Sequence, residues 1–168
     1  GEMSFTGLLQ SFVGLKSDED VPGISINRNG KTLMTGPSQR ITDLSEVPSP
    51  YIMGLFDHLD EMYPGKIWNA VIETNRGCPF MCTFCDWGGT TFSKVKKFDI
   101  TRIEAEVKWF ADNKIEYINN TDANFGIFKE RDMAITDMLI ATKEKYGFPE
   151  IFDTNWNKNN NQATVEMA

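Results

Sequence analysis

The sequence contains a single histidine and only three cysteines in 168 residues. Three thiols cannot form a fully paired disulfide framework, which needs an even count, and they fall one short of the four ligands of a closed zinc site. Basic residues are also scarce: 17 lysines and arginines stand against 24 acidic residues, for a net charge of −7. No basic stripe is interleaved with aromatics, so a sequence-independent grip on nucleic acid phosphates is excluded. No apolar run approaches the roughly 20 residues that span a bilayer, and the opening "GEMSFTGLLQ" has neither the basic nor the apolar region of a signal peptide. These absences make the cytoplasm the default compartment, and unpaired thiols suit its reducing conditions.

What remains is an ordinary globular composition, 40% apolar and 24% charged, of a length for one domain or one with a small appendage. The chain opens without an initiator methionine. It closes on "NNQATVEMA", where Ala163, Val165, Met167 and Ala168 read as the first turn of a helix. We read it as an internal piece of a longer protein.

Residues 1–50 read as a loosely built leader. Phe5, Leu8, Leu9 and Phe12 recur at helical spacing, with Ser4 as the expected N-cap. In "ISINRNGKTLMT", Asn29-Gly30 supplies the positive φ angles of a tight type I′ hairpin turn. Pro37, Pro48 and Pro50 then mark a linker.

Residues 51–168 alternate between strand and helix. "IWNAVIET" is a short strand that leads directly into "RGCPFMCTFCDWGG". Thr101 and Glu104 have the spacing of a capping box for a helix with Ile103, Val107, Phe110 and Ala111 on its inner face. "IEYINNTDANFG" gives a second strand. A second helix follows from about Lys129 to Tyr146, with Ala134, Ile135, Met138, Leu139 and Ala141 inward and Gly147 and Pro149 as stop signals. "EIFDTNWNKNN" is a third strand. Repeated β-α-β units imply parallel strands, in an α/β barrel or a doubly wound sheet. Active sites in such folds gather at the carboxyl edge of the sheet, so the cysteine loop, "TDANFG" and "NWNKNN" should converge there.

Cys78, Cys82 and Cys85 have the spacing C-x3-C-x2-C. Thiolates this close on one loop can address a common centre, and their softness suits iron, zinc or copper(I). Buried structural thiols are the bland alternative, but three of three cysteines in one short loop point to a metal loop. If the metal is zinc, the fourth ligand must be His58, 20 positions before Cys78 and in a segment expected to be helical. An iron-sulfur electron carrier is a further alternative, although such clusters are normally held by four cysteines. A 4Fe-4S cluster on three thiolates leaves one iron open for a substrate or cofactor.

"CPFMCTFC", directly after an expected first strand and with Phe84 in the aromatic slot, resembles the C-x3-C-x-aromatic-C signature of the radical S-adenosylmethionine (SAM) enzymes. The resemblance implies that Cys78, Cys82 and Cys85 each bind one iron of a 4Fe-4S cluster and that SAM chelates the fourth. An electron from the cluster then cleaves SAM to give a 5′-deoxyadenosyl radical. It also implies a partial (β/α) barrel, with about three of six βα units in this chain, and an electron donor such as flavodoxin or ferredoxin. "ETNRGCPFMCTFCDWGG", "DANFGIFKERD", "VPGI" and "LSEVPSPY" are similar to the subgroup that carries a cobalamin-binding domain before the barrel. Cobalamin would then belong to the full-length protein, and Gly1-Glu2 would be the tail of that domain. Where family members often have Gly-Gly-Glu after the second strand, this chain has Thr121, Asp122 and Asn124. Asp122 is the candidate partner of the SAM ammonium, with an N-cap or turn role as its alternative. Phe84, Asn124 and Asn155 complete the expected cofactor-binding set. Asn157 and Lys158 face cofactor, substrate or solvent. Arg76 is expected to pair with Glu73, and Trp87 to shape the loop exit. The resemblance assigns no substrate beyond an unidentified small molecule.

Overall fold

The computed structural model describes residues 1–85, 94–159 and 161–168. Trp87 and the glycines after it lie outside the described residues. The chain forms two compact units, Gly1–Asp43 and Leu44–Ala168.

In the first unit, helix α1 (Glu2–Phe12) starts earlier than its pattern suggests. The Phe5 N–H already bonds the Gly1 carbonyl, so Ser4 lies within the helix rather than capping it. The expected apolar face is not the packed one. Phe5, Leu8, Leu9 and Phe12 are all exposed, and the buried residue is Gly7, where an added Cβ would stand 2.9 Å from Val21 Cγ1. Close approach of Val21 therefore requires a glycine there. Strands β1 (Ser25–Arg28) and β2 (Lys31–Met34) pair antiparallel through the expected turn, with φ of 53° at Asn29 and 78° at Gly30.

The second unit begins at Leu44, ahead of the boundary expected at 50, because Leu44 and Ser49 are buried and Arg102 bonds the Val47 carbonyl. A short helix, α2 (Leu59–Met62), precedes the sheet. The sheet is parallel, with order β3-β6-β7: β3 (Asn69–Ile72), β6 (Tyr117–Phe125) and β7 (Ile151–Trp156). Between β3 and β6 lie β4 (Asn75–Arg76), β5 (Lys96–Lys97) and helix α3 (Ile100–Asp112). Helix α4 (Lys129–Tyr146) joins β6 to β7, and α5 (Asn161–Met167) follows β7.

One face of the sheet is covered. Ala70, Ile72, Ile118 and Asn120 are buried, as are Ile103, Val107 and Phe110 of α3 and Ile135 and Leu139 of α4. Ala134 and Ala141 face solvent instead of the core, since the buried stripe of α4 is the narrower one through Asp132, Ile135 and Leu139. The N-cap of α3 is Asp99, which accepts from the Thr101 N–H at 2.8 Å; Thr101 is already inside the helix and donates its hydroxyl to the same carboxylate. Gly147 ends α4 in the left-handed conformation, as expected.

The opposite face is open and mostly polar, carrying Asn69, Val71, Asn119, Thr121, Asp153 and Asn155. Across it the Tyr117 hydroxyl donates to Asp153 Oδ2 at 2.6 Å. At the β3 edge the Tyr51 hydroxyl donates to the Val71 carbonyl at 2.7 Å and accepts from the Val71 N–H at 3.1 Å. The Tyr51 ring in turn stacks among Phe56, Trp109 and Phe110.

Candidate functional site

The cysteine loop leaves the carboxyl end of β3 and is closed at its foot by a two-residue antiparallel ladder, Asn75 opposite Lys97 and Arg76 opposite Lys96. Gly77, with φ of 119°, turns the chain from that ladder into Cys78, a conformation open to glycine.

Beneath the loop lies Asp122 of β6, fully buried. Its Oδ1 accepts from the Thr74 and Asn75 backbone N–H groups at 2.7 and 2.9 Å, and its Oδ2 from Asn75 Nδ2 at 2.7 Å and from the Thr74 hydroxyl. A carboxylate offers about four acceptor positions, and four donors fill them here. Asp122 thus anchors the foot of the loop instead of presenting a free carboxylate to an ammonium group. Burial pushes its carboxyl above the usual carboxylate range, against the opposing pull of its donors.

Arg131, in the first turn of α4, locks the same foot. Its guanidinium donates to the Thr74 carbonyl at 2.9 Å, to the Phe98 carbonyl at 3.0 Å and to Asp132 Oδ1 at 3.2 Å. Asp132 is itself fully buried, and its Oδ2 accepts from the Gly126 and Phe128 N–H groups at 2.8 and 3.0 Å, fixing the β6–α4 turn. Its carboxyl is also raised, with burial as the main cause. Neither Arg131 nor Asp132 carries a role in the sequence reading, although both lie in the "DANFGIFKERD" stretch. Arg76 pairs with Glu73, with contacts of 2.6 to 3.1 Å, as the sequence suggests.

The three polar clusters do meet at the carboxyl edge. Asn124 Nδ2 lies 3.2 Å from Cys78 Sγ, and Lys158 Nζ lies 3.9 Å from Cys82 Sγ. Asn155 Nδ2 reaches the Asp122 carbonyl at 3.5 Å, and the Asn157 N–H bonds the Phe125 carbonyl. Cys78 is buried, Cys82 and Cys85 are half-buried, and none of the three is in a disulfide. The Cys85 N–H bonds the Cys82 carbonyl in a turn that leaves Phe84 88% exposed. Among the described residues no three cysteine, histidine or carboxylate groups are gathered around one point. His58 is exposed and lies 3.4 Å from Glu61. Two buried oxygens beside the loop, Asn75 Oδ1 and Asn124 Oδ1, have no hydrogen-bond partner among the described residues. Buried polar atoms of this kind mark a place where a further group can bind.

No family model matches the chain. Among individual proteins, it is 35% identical over 171 aligned positions to the cobalamin-dependent radical SAM methyltransferase TokK of Streptomyces tokunonensis. It is also 35% identical to a 2-(S-pantetheinyl)-carbapenam-3-carboxylate methyltransferase of Streptantibioticus cattleyicolor. Both alignments cover 100% of this chain and 25% of the relative, so the chain spans about a quarter of the length of the curated relatives it matches. An uncharacterised methyltransferase of Pyrococcus horikoshii is 27% identical over 81% of the chain and 29% of its own length.

The fold is that of the solved radical SAM enzymes. The cobalamin-dependent SAM radical enzyme OxsB aligns over 99% of this chain and 24% of its own, with TM-score 0.61 and 21% identity. The methyltransferase TsrM from Kitasatospora setae, solved with cobalamin and a [4Fe-4S] cluster bound, aligns over 89% of this chain and 30% of its own, with TM-score 0.55 and 13% identity. No described helix is long and apolar enough to cross a membrane. The chain is thus a homologue of the cobalamin-dependent radical SAM methyltransferases.

Proposed function

We propose that this chain is the cluster- and SAM-binding part of a cobalamin-dependent radical SAM methyltransferase acting on a small molecule. In this reading Cys78, Cys82 and Cys85 hold a 4Fe-4S cluster, residues 44–168 are the first half of a (β/α) barrel, and residues 1–43 lead into it from a cobalamin-binding region. When bound, the cluster supplies the electron and the open iron for reductive SAM cleavage, and cobalamin supplies a methyl carrier.

The observation that carries the reading is the placement of the C-x3-C-x2-C loop where β3, β6 and β7 end, with an asparagine amide directed at the Cys78 sulfur. The residues fit the group in kind: three soft thiolate donors on one loop, and beside them a buried amide oxygen without a partner among the described residues. Asp122, Thr74 and Asn75 hold the foot of the loop, and Phe84 at its tip is free to cover a ligand. Asn124 and Asn155 line the carboxyl edge toward SAM. The open polar face of the sheet receives the substrate, and a flavodoxin or ferredoxin delivers electrons.

A zinc module needs His58 as its fourth ligand, yet that side chain is exposed and lies beside Glu61. The test is anaerobic iron-sulfur reconstitution of the intact protein, with electron paramagnetic resonance of the reduced form before and after adding SAM. A 4Fe-4S signal that changes on adding SAM is expected. A colourless protein that takes up zinc in place of iron overturns the proposal.

A further inference from the structure

Asn124 differs from the other buried polar residues of β6. Asp122 holds the loop foot and Asn120 bonds Thr154 at 3.1 Å, whereas Asn124, 1% exposed, directs its amide N–H at a thiol. Its orientation follows from chemistry: the flipped amide would set an oxygen lone pair against a sulfur that becomes a thiolate on binding metal. The Asn124–Cys78 pair is buried on both sides, so little water screens the contact.

An N–H pointed at a cluster-bound sulfur stabilises negative charge there, and that charge grows when the cluster gains an electron. We infer that Asn124 is a positioning residue that makes the cluster easier to reduce, by donating its amide N–H to the Cys78 sulfur. The inference rests on the functional reading above and adds to it a residue that sets the electron energetics without ligating iron.

The test is Asn124→Leu in the intact protein, which removes the donor at similar volume. Iron and sulfide content are measured alongside a redox titration of the cluster signal, in the absence of SAM. The expected variant binds as much iron as the wild type and is about tenfold harder to reduce, a shift of about 59 mV to more negative potential for one electron. A fully loaded variant with unchanged potential overturns the inference. If the variant takes up no cluster, the wild type decides. With asparagine 15N-labelled at the side-chain amide, the reduced cluster is expected to show nitrogen coupling, and its absence overturns the inference. A wild-type protein that takes up no cluster overturns instead the functional reading, and this inference with it.

Discussion

At the foot of the cysteine loop, Thr74 and Asn75 are fully buried and their donors converge on Asp122, while Arg131 ties the Thr74 carbonyl to α4. Six to ten residues later along the chain, Cys82 is only half-buried, and Met81 and Phe84 are 66% and 88% exposed. Among the described residues the foot satisfies its buried polar atoms with protein partners, Asn75 Oδ1 excepted, whereas the tip faces solvent. In the proposed reading the folding energy of the base and the binding energy of the metal are separable.

Replacing the tip thiols separates them most sharply. Cys82→Ala or Cys85→Ala should abolish cluster uptake, read as iron per chain after reconstitution, yet shift the stability of the metal-free protein by no more than about 0.5 kcal/mol. The foot should respond in the opposite sense. Asp122→Ala strands four donors, and denaturant unfolding of the metal-free protein should show a loss of about 3 kcal/mol. Arg131→Met leaves the buried Thr74 and Phe98 carbonyls without this donor and should cost about 2 kcal/mol in the same assay.

A pH titration sharpens the contrast further. The Asp122 and Asp132 carboxyls are raised in the folded protein, so each binds its proton more tightly there than in the unfolded chain. The stability they contribute is fully present below the ordinary carboxylate range and is lost as pH rises through their raised values. Asp122→Asn should flatten that decline, measured as unfolding midpoint against pH. The smallest stability effect is expected from Phe84→Ala, within about 0.5 kcal/mol, and a weakened SAM affinity of the reconstituted protein would assign the exposed ring to the ligand.

Strand β3 and helix α3 are legible because their apolar residues recur at regular spacing, and the thiol cluster because it is compact in sequence. Strand β6, by contrast, buries the polar Asn120, Asp122 and Asn124, and α4 packs through a narrower stripe than its apolar residues suggest. The foot of the loop is not legible. A ladder of two residues has no period, and "NR" and "KK" carry no strand pattern, so β4 and β5 exist only through pairing across the loop. The sequence leaves Asp122 between an ammonium partner and an N-cap or turn residue, because an acidic residue at a strand end is ambiguous until its neighbours are known. Arg131 and Asp132 look like the charged first turn of any helix, and only the tertiary structure buries them. The leader helix shows the reverse: its periodic face is real, but periodicity reports amphipathicity and cannot name the surface that is packed.

Tyr51 has a consequence for how the sheet can be extended. Its one hydroxyl satisfies both the outward N–H and the outward carbonyl of Val71, the pair that a neighbouring strand would use, and its ring is fixed by Phe56, Trp109 and Phe110. The β3 border is therefore sealed, whereas no described strand lies beyond β7. Among the described residues, the sheet edge left free for a further strand is that of β7.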